Sequence, residues 1–321
     1  MPAQGYSFMK NKTPIAVASR SFSAHPILRA ELLARYSDVL FNDQGTSLSG
    51  AGLIDFARGR RKLITALETL DEAIFAALPD LEVVSKYGVG TDMIDMAAMA
   101  RHGVRLGWTG GVNRRSVTEL VIAFMISLLR HVALADREIR DGIWKNRRGR
   151  QLSDRTVGII GCGHIGKDLA PILRAFGCTV LAHDILDFPE FYAAHQIEPV
   201  DLEDLLRRAD IVTLHVPLDA STRNMLSAER LALMRPDALL INAARGGLVD
   251  EHALKAMLKD GRLAGAAFDV FSAEPPQDLE LLRLPHFLAT PHIGGSAEEA
   301  ILAMGRAAIE GLDRNAVPAA G

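Results

Sequence analysis

Three ionisable residues each follow a short apolar run and sit in loops rich in small residues. They are Arg245 in Asn242-Ala-Ala-Arg-Gly-Gly, Glu274 in Phe268-Asp-Val-Phe-Ser-Ala-Glu-Pro-Pro, and His292 in Ala289-Thr-Pro-His-Ile-Gly-Gly-Ser. A guanidinium, a carboxylate and an imidazole are the parts needed to move a proton at a polarised oxygen. Imidazole, as a residue type, gives and takes protons near neutral pH. A carboxylate paired with it favours the charged ring and fixes its tautomer. A guanidinium fork can hold an anionic group and polarise a neighbouring oxygen at once, which lysine's point charge does less well. Losing such a donor typically costs on the order of 3 kcal/mol of transition-state stabilisation. Taken singly, each residue also has a plain structural explanation: a core histidine, a surface acid, and an arginine pinned to Asp250. Taken together, at the ends of strands where α/β sheets bind ligands, they point to one site.

A second constellation lies upstream. Gly161-Cys162-Gly163-His164-Ile165-Gly166 separates the strand-like run Thr156-Val-Gly-Ile-Ile from a helix starting near Ile165, and Asp184 follows 18 residues after the last glycine. Strand, glycine loop, helix and distant acid in that order are what a βαβ unit needs to hold a dinucleotide. Gly161 permits the tight turn, Gly163 lets a pyrophosphate approach bare backbone, and Gly166 lets the helix lie close to the strand. The helix N-terminus offers unpaired N–H groups and a positive dipole end. Asp184, ending the run Cys178-Thr-Val-Leu-Ala-His-Asp, can accept from both ribose hydroxyls and would repel a 2′-phosphate, so the expected cofactor is NAD rather than NADP. No arginine follows closely enough to suggest otherwise.

Apolar runs and amphipathic segments alternate along the chain. Strands are expected at 14–18, 38–41, 62–66, 81–85 and 104–107, with helices near 50–57, 70–77 and 93–102, and a helix capped at Ser23 running towards Arg35. A long helix from about Ser116 through Arg140 is nearly apolar all round in its middle, so burial between domains or subunits is expected, with a symmetric homodimer packed through it. Further strands are expected at 211–215, 238–242, 265–269 and 287–289, and a last helix over 297–312. The pattern reads as α/β, with two doubly wound parallel-sheet domains: a Rossmann-type nucleotide domain over 114–294, nested within a flavodoxin-like substrate domain of 1–113 plus 295–321.

Composition narrows the classes. With 321 residues, 49% hydrophobic and 23% charged, the chain can bury two cores, and a net charge of −3 gives no reason to expect nucleic acid or an anionic membrane as partner. Two cysteines, Cys162 and Cys178, fit a reducing, cytoplasmic compartment and no disulfide framework, and neither has the neighbours of a metal site. Residues 1–12 lack an apolar core for secretion, and the apolar stretch 120–129 is too short to span a bilayer.

The motifs GxGxxG, Asn-Ala-Ala-Arg-Gly, Asp-Val-Phe-x-x-Glu-Pro and Thr-Pro-His-Ile-Gly-Gly, in that order from about Leu81 to Ala300, resemble those of the D-isomer-specific 2-hydroxyacid dehydrogenase family. The resemblance implies a catalytic triad of Arg245, Glu274 and His292, with Asp269 near the nicotinamide carboxamide. It implies cofactor contacts at Gly161, Gly163, His164, Ile165, Gly166, Asp184, His215, Pro217 and Ala243, with His215 in a structural part. It also implies that Gly88-Val89-Gly90, in Ser85-Lys-Tyr-Gly-Val-Gly-Thr-Asp, presents backbone N–H groups to a substrate carboxylate, beside Lys86 and Tyr87. The expected reaction is reversible hydride transfer between nicotinamide and a 2-hydroxy or 2-keto acid.

The stretches at Lys86, Val112-Asn-Arg-Arg and His292 are most similar to the phosphoglycerate dehydrogenase branch, with Lys86, Arg114 and Arg115 as candidate phosphate partners. Against this, the loop Thr65-Ala-Leu-Glu-Thr lacks the arginine that many phosphoglycerate enzymes carry there, which keeps glyoxylate and hydroxypyruvate reduction open. Feedback through an appended C-terminal domain is not expected. A NAD-sensing, corepressor-like binding protein is the rival of another class, and the intact Arg245, Glu274 and His292 weigh against a silent scaffold.

Overall fold

A computed structural model of the chain describes residues 10–318; the reading of a non-secretory N-terminus falls largely outside them. The chain divides into two compact units. One is built from the first 113 residues and from the segment beginning at Glu298, the other from Arg114–Ala297.

The first unit runs β1 (Ile15–Val17), α1 (Arg20–Ala24), α2 (Pro26–Arg35), β2 (Val39–Phe41), α3 (Gly50–Ala57), β3 (Lys62–Thr65), α4 (Glu72–Ala77), β4 (Val83–Lys86), α5 (Met96–Arg101) and β5 (Arg105–Gly107). All strand pairings are parallel, in the order β2-β1-β3-β4-β5, a flavodoxin-like sheet. The strands are short; β1 and β2 are wholly apolar, while β3, β4 and β5 carry polar residues towards their ends. Ser23 does not cap a helix. Ser19 caps α1 and the His25 ring caps α2, while the Ser23 hydroxyl donates to Val17 O and accepts from Asn42 N. Pro26 explains the restart, since its missing N–H costs nothing at the first helical position.

The second unit runs α6 (Arg114–Arg130), α7 (Val132–Arg140), β6 (Thr156–Ile160), α8 (His164–Ala175), β7 (Thr179–His183), α9 (Pro189–His195), β8 (Ile197–Pro199), α10 (Leu202–Arg208), β9 (Ile211–Leu214), α11 (Ala228–Leu231), β10 (Leu239–Asn242), α12 (Glu251–Lys259), β11 (Gly265–Phe268), α13 (Leu279–Arg283) and β12 (Phe287–Ala289). Its sheet is parallel throughout, ordered β12-β11-β10-β9-β6-β7-β8, so the order reverses at β6 and β9, a Rossmann-type switch point. β8 is an edge strand that the sequence did not disclose, being three residues long and ending in proline.

The long helix expected over 116–140 is two helices bent by 62°. His131 turns left-handed, with φ 55°, and the Leu129 carbonyl that would continue the helix instead accepts from Arg150 N at 2.9 Å. The Cβ-less Gly149 permits that return, since a Cβ there would lie 2.5 Å from the Leu129 oxygen. The apolar side of α6 is used within its own unit, burying Val117, Val121, Phe124 and Met125, whereas α7 buries nothing. No single helix among the described residues is long and apolar enough to cross a membrane.

The last helix, α14 (Glu298–Gly311), belongs to the first unit and packs on β4 and β5. The passage back falls after Ala297 rather than after Gly294. The Ser116 hydroxyl donates to Gly294 O and accepts from Ala297 N, holding those residues to the second unit. Where α14 crosses the sheet, Gly107 faces Gly311, and a Cβ on Gly107 would lie 2.2 Å from the Gly311 oxygen. Gly107→Ala is therefore expected to lower the unfolding free energy by about 2 to 4 kcal/mol in urea titrations. A midpoint equal to that of the native protein would contradict this packing.

Candidate active site

β10, β11 and β12 are neighbours, and their last residues, Asn242, Phe268 and Ala289, lie side by side in register. The loops carrying Arg245, Glu274 and His292 thus leave one sheet edge at one level. The Asn242 side chain builds the first loop by donating to Arg245 O at 2.8 Å and accepting from Ala244 N at 3.1 Å. Gly246 then touches the next loop so closely that a Cβ there would lie 1.9 Å from Phe271 O. That contact excludes every other residue type. Arg245 Nη1 donates to Ala244 O at 2.7 Å, and the residue is half-buried.

Glu274 and His292 form a pair at 2.9 Å, Oε2 to Nδ1, with Oε1 accepting from Phe271 N at 3.1 Å. Both side chains are nearly half exposed, so the pair adds little to stability. Its consequence is geometric. An ionised carboxylate only accepts, so Nδ1 carries the hydrogen and donates it to Glu274, which leaves Nε2 available to another partner. His292 has φ 56°, a left-handed conformation that costs a side-chain-bearing residue about 1 kcal/mol or more.

Asp269 enforces it. Its carboxylate is 1% exposed and accepts from Thr290 Oγ1 at 2.5 Å, Ile293 N at 2.7 Å and Gly294 N at 2.7 Å, and its carbonyl accepts from His292 N at 2.9 Å. Asp269 thus holds both flanks of His292. Thr290 and Ser116 were not singled out by sequence reasoning; Thr290 stood inside the Thr-Pro-His motif, while nothing in the sequence tied Ser116 to a loop 178 residues away.

The β6–α8 turn fits a dinucleotide. Gly161 has φ 96° and lies against the His215 carbonyl, and a Cβ on Gly166 would come within 2.3 Å of Gly161 O. Gly163 caps α8 with no side-chain bond, and nothing lies within 4 Å of where its Cβ would be. Open space before uncapped helix amides is where a pyrophosphate fits. His164 is exposed beside it and Ile165 half-buried, while Ala243 is buried and Pro217 exposed. Asp184 accepts from Cys162 N at 2.6 Å and Leu186 N at 2.9 Å, and its remaining lone pairs can take ribose hydroxyls. The next residues, Ile185 and Leu186, are exposed and uncharged, so no cation stands beside Asp184 in sequence for a 2′-phosphate. The Cys162 thiol is pushed up to about 11 by burial and by Asp184, and is no nucleophile.

In the first unit, Lys86 is buried and its ammonium donates to Ala66 O and to Tyr87 O. The Tyr87 ring packs edge-on against Phe22 in the core. Arg114 and Arg115, candidate phosphate partners, both turn to Asp168 on α8, Arg115 at 2.9 Å and Arg114 at 3.8 Å. Glu68 folds back to accept from Thr65 Oγ1 and Ala66 N, which puts a carboxylate in the loop that lacks arginine.

A parallel sheet with a nucleotide turn at its switch point and a histidine–carboxylate pair at the same strand edge defines a nucleotide-dependent α/β protein. Residues 122–294 match the model of the D-isomer specific 2-hydroxyacid dehydrogenase NAD binding domain, and the chain belongs to that family. It is 38% identical over 237 residues to D-3-phosphoglycerate dehydrogenase of Methanocaldococcus jannaschii, covering 73% of this chain and 45% of that protein. It is 36% identical to hydroxypyruvate reductase of Thermotoga maritima, covering 71% and 75%. A solved structure from Polaromonas sp. JS6 66, assigned to the NAD-binding D-isomer specific 2-hydroxyacid dehydrogenases, aligns with TM-score 0.86 at 28% identity, covering 94% and 96%. The chain spans about half the length of the phosphoglycerate dehydrogenases it matches.

His215 follows β9 at the switch point. Its Nδ1 is buried with no partner among the described residues, Nε2 lies 3.0 Å from Thr213 Oγ1, and burial pushes the ring down to about 3. An unfolded imidazole takes its proton near pH 6.5, so between about pH 6.5 and 3 the unfolded chain binds more protons and stability falls as pH falls. Urea unfolding at pH 7 and pH 5 should show a loss of about 2 kcal/mol from this residue, missing in His215→Gln. The same loss in the variant would contradict a buried neutral ring.

Proposed function

We propose that the chain is an NAD-dependent D-2-hydroxyacid dehydrogenase, acting reversibly between a 2-hydroxy acid and its 2-keto acid. The observation that carries this reading is the Glu274–His292 pair, held at one strand edge beside the Arg245 loop in a sheet whose β6–α8 turn fits NAD. When bound, the nicotinamide supplies or takes the hydride. The protein's own residues do the rest. His292 Nε2 gives its proton to the carbonyl oxygen in reduction and takes it back in oxidation, while Glu274 holds the ring in the required tautomer. Arg245 polarises that oxygen and binds the carboxylate. Asp269 keeps His292 in place and, by the family likeness, would serve the carboxamide end of a bound nicotinamide. In the first unit, taken by itself, the Gly88, Val89 and Gly90 amides offer donors to an anionic group such as a carboxylate.

For the substrate itself, the motif likeness and the phosphoglycerate dehydrogenase relatives favour 3-phosphoglycerate. A second reading, reduction of glyoxylate or hydroxypyruvate, is favoured by the Glu68 carboxylate and by the engagement of Arg114 and Arg115 with Asp168. A homodimer in the cytoplasm completes the reading. Its contact is better placed on α7, where Val132 and Ile139 are exposed, than on α6, and the two buried free cysteines suit a reducing compartment. A corepressor-like sensor would bind NADH without turning over any keto acid.

The test is NADH oxidation with glyoxylate, pyruvate, hydroxypyruvate and 3-phosphohydroxypyruvate, set beside His292→Ala. Turnover of at least one acid is expected, with NADH preferred over NADPH. The variant should lose roughly 100- to 10,000-fold in kcat while NADH affinity stays unchanged. Equal turnover in the variant would remove His292 from the chemistry, and no turnover at all would leave the sensor.

A further inference from the structure

β3, β4 and β5 lie side by side in the first unit, with Thr65 level with Lys86 and Ser85 level with Gly107. Trp108 is therefore the first residue past β5, next to the loop that follows β4. Its indole N–H donates to Val89 O at 2.9 Å. Lys86, on the other flank, donates to Tyr87 O at 3.4 Å. The carbonyls of Tyr87 and Val89 are thus both taken, while the amides of Gly88, Val89 and Gly90 donate to no described group.

A peptide unit is planar and trans, so pinning a carbonyl also aims the N–H of the following residue away from it. Lys86 in this way aims the Gly88 amide, and Trp108 aims the Gly90 amide. Between them Gly88 has φ 125°, which a side chain would resist, and a Cβ there would crowd the Lys86 ammonium at 3.2 Å. Consecutive unpaired amides in such a turn form an anion-binding concavity. Trp108 keeps 45% of its surface exposed even though its polar edge is fixed. An apolar ring anchored by its N–H and left open beside an anion-receiving loop suits a ligand with a carboxylate and a short carbon chain.

We propose that Trp108 is a positioning and selectivity residue of this loop. Its indole N–H sets the Gly90 amide for the carboxylate of a 2-keto acid, and its exposed ring receives that acid's carbon chain. This rests on the dehydrogenase reading above, which the experiment separates from it. Trp108→Phe keeps a ring and loses the donor; Trp108→Ala loses both.

With the best acid from the panel, Trp108→Phe should raise KM about tenfold, the usual scale for one lost hydrogen bond, with kcat changed less than threefold. Trp108→Ala should raise KM further and alter the preference between short and long acids, and NADH affinity should be unchanged in both. The chain has two tryptophans, so emission gives an independent readout. Adding the acid with NAD⁺ should change the emission of the native protein and leave that of Trp108→Phe, which retains Trp144, unchanged. Native KM in both variants, or the same emission change in Trp108→Phe, would overturn the proposal and leave the dehydrogenase reading intact. Absence of both turnover and emission change in the native protein would overturn the two together.

Discussion

The Asp269 carboxylate is the constraint on which the site depends. It is buried at the end of β11, and its two oxygens accept three hydrogen bonds from the segment that carries His292. A buried carboxylate without partners would be costly, so these bonds are obligatory as well as favourable. They fix Thr290 on one side of His292 and Ile293 and Gly294 on the other. The left-handed backbone at His292 lies between these anchors. The strain is small beside what holds it.

The neighbouring loops are fastened in the same manner. Gly246 meets the Phe271 carbonyl with no room for a Cβ, and Glu251 at the start of α12 accepts from both the Ser272 amide and its hydroxyl. Arg245 and Glu274 are therefore carried on loops that cannot move independently without breaking contacts. Groups carried on loops normally trade precision for freedom, and here close contacts between the loops and with the start of α12 recover the precision. The Glu274–His292 contact itself is half exposed and weak as a source of stability, which is consistent with orientation being its purpose.

Much of this was legible in the sequence because the parts are local. The glycine turn, the strand that precedes it and the acid 18 residues beyond its last glycine are fixed by spacing alone, and the parallel strands announce themselves as short apolar runs between helices. The unread features depend on residues far apart in the chain. The helix break at His131 follows from Arg150 capturing the Leu129 carbonyl, and β8 exists because β7 offers it an edge. The Tyr87 ring meets Phe22 in the core. Arg114 and Arg115 read as free cations until α8 brings Asp168 to them. Side-chain direction and charge pairing are tertiary properties, and periodicity does not encode them.

The central claim is that Asp269 holds His292 in working position, and the most direct measurement is the single-turnover rate of NADH oxidation by Asp269→Asn with an acid the native protein reduces. Asparagine keeps the size but replaces an accepting oxygen by an N–H₂ group, which faces the Ile293 or Gly294 amide without a bond. The rate is expected to fall at least about a hundredfold, with folding retained. Hydride transfer at the native rate in that variant would contradict the claim.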